Sequence, residues 1–140
     1  MSSDAENISA WAQDMCWRTI PEKPRALGEL KAPNGGELMK IAFDTHRDIV
    51  TTIGYQAGES ANEALCACAA AACSLAKDKA VMALDLIGPA EIAEVLKVQM
   101  DDSLFYQAVL AVLCLKNALS SYADTRAADY AAFQQEQGKA

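Results

Sequence analysis

The chain has 140 residues, 52% of them hydrophobic, and a net charge of −7. That length suits one compact domain with a core large enough to need neither disulfide nor metal to fold. The acidic balance argues against a nucleic-acid or anionic-membrane partner, since both select for a basic face.

No targeting segment is visible: Asp4, Glu6 and Asp14 interrupt the first twenty residues, with no basic start and no apolar block. The apolar runs that contain Ala67–Cys73 and Ala108–Leu115 are too short to span a bilayer. A cytoplasmic protein is expected. The cysteines are five in number, Cys16, Cys66, Cys68, Cys73 and Cys114, an odd count that argues against a disulfide framework. Each reads first as a small buried apolar residue.

In chain order, Ser3 and Glu6 form a capping-box pattern ahead of Ile8, Trp11, Ala12 and Met15, which predicts a helix from Asp4 to Arg18. Pro21 and Pro24 end it, and Pro21–Leu30 reads as a connecting loop. Pro33-Asn34-Gly35-Gly36 is a turn. A strand then follows over Glu37–Phe43, with Leu38, Ile41 and Phe43 inward. Asp44–Asp48 is a polar connection, and β-branched Ile49–Tyr55 is a second strand, so the pair reads as an antiparallel hairpin.

Beyond Gly58 the character becomes helical. Ser60 and Glu63 suggest a capping box for an alanine-rich helix over Ala61–Lys77. Val81–Ile87 continues helically, Pro89 opens a short helix through Leu96, and Leu104–Phe133 forms a long last helix. Gln134–Ala140 is a polar tail expected to fray. Strands grouped before helices predict an α+β domain over residues 1–140. Its parts are an N-terminal helix region (1–22), a small antiparallel sheet (32–58) and packed helices (60–133).

Three segments carry a family resemblance. Ala32-Pro33-Asn34-Gly35-Gly36-Glu37-Leu38-Met39-Lys40 resembles the turn-to-strand segment of NifU/IscU-type iron–sulfur scaffold domains, which reads roughly Ala-Pro-x-Cys-Gly-Asp-x-Met-Lys. Lys77-Asp78-Lys79 through Ile92-Ala93-Glu94 is similar to that family's Lys-Gly-Lys turn and following short helices. Ala108 to Tyr122 resembles its last helix, with an Ala-x-x-x-Tyr ending. The resemblance implies the same α+β fold, and a cysteine desulfurase or a sister scaffold as partner.

The resemblance also implies a site of three cysteines and an aspartate that holds a nascent iron–sulfur cluster or zinc, because thiolates suit both. Carried over by position, the first cysteine falls on Gly35 and the aspartate on Glu37. The second cysteine falls on Ala57, or on Gly58 if the register slips by one. The family's histidine and third cysteine fall on Tyr106 and Gln107. Only Glu37 is ligand-capable. The family's Pro-Pro-Val-Lys chaperone loop has no counterpart near Asp101-Asp102-Ser103-Leu104. The residues present therefore imply a degenerate site with no cofactor, and cluster or zinc enters only through the resemblance.

A replacement site has weak support. Cys66 and Cys73 share a helix face, Cys68 points away, and Cys114 lies in the last helix. His46, the lone histidine, reads as a solvated turn residue, and no catalytic triad or phosphate loop is present. Glu91, Glu94, Asp101 and Asp102 read as solvated surface. No catalytic residue is expected and the chain is not read as an enzyme. A metal-free interaction or structural module that keeps only the fold is the alternative. Trp11, Trp17 and the small-residue helices suit a homodimer interface, though core packing accounts for them equally.

Overall fold

A computed structural model describes residues 3–138. The first helix, α1 (Asp4–Gln13), starts where Ser3 accepts a hydrogen bond from the Glu6 amide at 3.1 Å. It stops earlier than the sequence suggests: Asp14 leaves the helix and caps a short 3-10 turn over Met15–Trp17. The apolar spacing runs on to Arg18, but the backbone does not.

The sheet has three antiparallel strands in the order β1 (Ala26–Lys31), β2 (Glu37–His46) and β3 (Ile49–Ala57). The first is a correction, because Pro21–Leu30 reads from sequence as a loop. Ala26, Gly28 and Leu30 alternate inward and pair with Phe43, Ile41 and Met39. The second is longer than expected, since the connection after Phe43 shrinks to the two-residue turn Arg47-Asp48. Met39, Ile41 and Phe43 are fully buried while Leu38 lies half-buried on the opposite face, so Met39 takes the inward place expected of Leu38.

Helix α2 (Glu63–Ala76) is capped by Asn62, which accepts from the Leu65 amide at 2.8 Å, so Ser60 is not the cap. Nearly every side chain from Leu65 to Ala76 is buried. Alanine permits this, because helices and sheet can approach an Ala-rich helix from several sides. Val81–Leu86 is 3-10 rather than α-helical, and α3 (Pro89–Leu96) follows it. The last helix, α4, runs over Asp102–Gly138, about 55 Å at 1.5 Å per residue. It passes through the segment expected to fray, and residues 139–140 lie outside the described part. One stretch of α4 is long and apolar enough to cross a bilayer. Its row Ala108, Ala111, Cys114, Leu115 and Ala118 instead packs into the core.

Glycine fixes how closely α4 meets the sheet. A β-carbon on Gly28 would lie 2.2 Å from the Cys114 carbonyl oxygen and 2.4 Å from the Ala118 nitrogen. Asn117 and Ser121 hold the same contact by hydrogen bonds to the backbone of Glu29 and Leu27. Phe43 and Tyr122 meet further along, with ring centroids 5.7 Å apart. On the far face of β3, the Thr19 carbonyl fills the space where Gly54 lacks a side chain.

Candidate functional site

Antiparallel pairing brings the start of β2 beside the end of β3. Met39 pairs with Ala57, and the Gly58 amide donates to the Leu38 carbonyl at 2.9 Å. Gly58 packs so tightly that a β-carbon there would overlap the Glu37 carbonyl oxygen. Gly35 sits two residues before Glu37, exposed in the turn that closes β1 onto β2. Its φ of +87° is a left-handed conformation that suits glycine and strains any other residue.

Gln107 comes to the same end of the sheet from α4. Cys114 touches Gly28 and Met39, and Gln107 lies two helical turns before it, roughly 10 Å further toward the Glu37 end. Gln107 is half-buried and Tyr106 is exposed. Among the described residues no hydrogen bond joins Gln107 to Glu37.

The Glu37 carboxylate is engaged by Lys40, whose Nζ lies 2.9 Å away. That hydrogen bond, with the attraction of opposite charges, raises the Lys40 pKa. Beside this pair is an open cavity of about 310 Å³ lined by Met15, Arg18, Glu37, Tyr55, Gln56 and Ala57. The Arg18 guanidinium lies 5.4 Å over the Tyr55 ring and donates to the Ala12 carbonyl at 2.6 Å. Tyr55 is fully buried, and burial pushes its phenol up to about 12. Its Oη and the Arg18 Nε have no hydrogen-bond partner among the described residues. Sequence spacing gave no signal for Arg18 or Tyr55, since one follows an apolar helix and the other ends a β-branched run.

This donor set does not fit an iron–sulfur cluster or zinc. It offers one carboxylate, already paired, no thiolate, and a guanidinium that repels cations. Among the described residues no group of three or more His, Cys, Asp or Glu side chains is placed to hold a metal ion.

Among the described residues no cysteine lines that cavity, although Cys66 lies close to Arg18. Cys66, Cys68, Cys73 and Cys114 are buried, and Cys68 faces the interior as fully as the others. Burial raises all four thiol pKa values, to about 12 for Cys68 and Cys114. For Cys66 the nearby Arg18 opposes that rise, and for Cys73 the neighbouring Cys114 adds to it. Cys16 departs from the expectation of burial: it is exposed. Trp11 and Trp17 are partly buried against the core. His46 is exposed at the end of β2, and Glu91, Glu94, Asp101 and Asp102 are exposed. Glu91 and Asp101 have local work, accepting from the Gly88 and Leu104 amides at 3.1 and 2.7 Å.

No protein-family model matches the sequence, and no curated protein matches it significantly. Solved structures do share its fold. One is a candidate iron–sulfur cluster assembly scaffold protein for the SUF system, SufU from the thermophile Fervidobacterium islandicum AW-1. It is 11% identical, with 84% of this chain and 86% of that chain covered and a TM-score of 0.52. Another is the N-terminal part of a nitrogen-fixing NifU-like protein from Brucella abortus. It is 14% identical, with 96% and 94% covered and a TM-score of 0.50. The chain therefore has the α+β fold of NifU- and SufU-like proteins. At these identities the likeness defines the fold and nothing finer.

Proposed function

We propose that this chain is a scaffold-like protein of iron–sulfur cluster assembly whose cluster site is degenerate, acting through contacts with other proteins and not by carrying a cluster. The observation that supports this is the shared architecture, which extends over 84–96% of the chain. Glu37, the one ligand-capable side chain among Gly35, Glu37, Ala57 and Gln107, is held by Lys40. In this reading the protein is cytoplasmic, has no catalytic residues, and meets a cysteine desulfurase or a sister scaffold.

A metal-free interaction module is the second reading. A row of exposed apolar residues favours it: Phe105, Val109 and Leu113 recur every fourth position on α4. Exposed Met82 and Leu86 lie on the adjoining 3-10 turn, which Asp85 ties to Lys116 at 3.4 Å.

Affinity capture from the native cell, using the full chain as bait, tests the proposal. Recovery of a cysteine desulfurase or a cluster-bearing scaffold, lost in a Val109→Glu/Leu113→Glu variant, is the expected result. Stable capture of partners with no link to cluster assembly would favour the second reading.

A further inference from the structure

At the other end of β2 from Glu37, nine residues and roughly 30 Å away, lies a separate polar cavity of about 190 Å³. Three arginines reach it from three parts of the chain: Arg25 just before β1, Arg47 at the hairpin tip, and Arg126 on α4. One carboxylate, Asp48, lines it with them, and that group is already occupied. The Tyr122 hydroxyl donates to Asp48 Oδ1, and Arg126 Nε lies 3.5 Å from the same oxygen. Arg25 is oriented by Asp129 at 2.6 Å. Arg47 has no carboxylate partner among the described residues.

The backbone at the tip is unusual in the same place. Arg47 and Asp48 both have positive φ, 54° and 61°. A two-residue hairpin turn of this kind favours asparagine or glycine, and arginine has no side-chain acceptor to ease the left-handed conformation. The turn therefore presents a guanidinium at the cavity against local backbone preference. Such outliers concentrate at sites of function.

We propose that this cavity binds a small, doubly charged oxyanion of the phosphate class. Guanidinium groups present paired N–H donors that match phosphate oxygens, while the hydroxyl of Thr45 at the wall already donates to the Tyr122 hydroxyl at 3.4 Å, so the arginines supply the binding. The volume falls below the range of pockets that enclose drug-sized ligands, so inorganic phosphate or a short phosphomonoester fits and a whole nucleotide does not. The net charge of −7 opposes anion binding in general, so binding here has to come from the local arginines.

Calorimetric titration of the full chain with inorganic phosphate at low ionic strength tests this, with chloride at matched ionic strength as the control. The expected result is saturable binding to phosphate only, weakened at least tenfold by Arg47→Gln and by Arg126→Gln. Arg47→Gly separates binding from folding: it relieves the turn, so the melting temperature rises while phosphate binding falls. A parallel titration with glycerol phosphate identifies the source, because binding of both ligands assigns the site to phosphomonoesters and binding of phosphate alone assigns it to the free ion. Heats no larger than those of chloride, or undiminished binding by a folded Arg47→Gln variant, would overturn the proposal.

Discussion

Glu37 and Lys40 form an ion pair 2.9 Å long at the start of β2, where the resemblance to iron–sulfur scaffolds would place a metal-binding carboxylate. The pair raises the Lys40 pKa. Its contribution to stability is therefore present at neutral pH and is lost as pH rises through the raised Lys40 pKa. Replacing Glu37 with Gln removes the charge attraction and leaves at most a weaker, uncharged hydrogen bond, with only the smaller attraction of Glu29 remaining. The expected outcome is a lower Lys40 pKa by NMR titration, with the melting temperature nearly unchanged, because exposed ion pairs contribute little.

Gly28 and Gly58 are expected to be the least replaceable small residues. Gly28→Ala forces β1 away from the backbone of α4, since the new carbon would sit 2.2 Å from the Cys114 oxygen. Gly58→Ala collides with the Glu37 carbonyl. Overpacking of this kind costs about 1–3 kcal/mol and at times more. Urea denaturation should show a loss of that order for each, while Gly35→Ala, with nothing near its missing β-carbon, should lose only the smaller amount set by its φ of +87°.

Thiol chemistry should divide the cysteines one against four. An aromatic disulfide reagent at neutral pH should react rapidly with exposed Cys16 and slowly with the four buried thiols, and all five should react in denaturant. The same burial sets an alkaline limit. Cys68 and Cys114 keep their protons up to about pH 12 in the folded chain, whereas an unfolded thiol loses its proton near 9.0. Stability is thus fully present below pH 9 and falls between about pH 9 and 12, by up to about 1.4 kcal/mol per pH unit for each thiol. Denaturant midpoints across pH 8–11 check this, and Cys114→Ala should flatten the fall.

Much of the fold was legible because periodicity was strong: α1, the β2–β3 hairpin, α3 and α4 all follow from apolar spacing and capping residues. The first strand was not, for a physical reason. Pro21, Pro24 and Gly28 look like loop punctuation, yet Gly28 sits mid-strand because α4 leaves no room for a side chain. The α2 cap went to Asn62 instead of Ser60, as a cap is chosen by backbone geometry and both residues are competent. At the candidate site, the resemblance pointed to Glu37 and contained Lys40 without revealing their ion pair, and it gave no sign of Arg18 or Tyr55, whose places arise from contacts across the fold. Nor could it show that Gly35 adopts a positive φ, a conformation that would strain a cysteine placed there.

Whether the site is degenerate is tested by anaerobic reconstitution of the purified chain with iron and sulfide, followed by visible absorption and metal analysis. With one paired carboxylate and, among the described residues, no cysteine lining the Glu37 cavity, no sulfur-to-iron charge-transfer bands and no stoichiometric iron are expected. Stable bands with stoichiometric iron, abolished by replacing Glu37 or the buried cysteines, would contradict the degenerate reading.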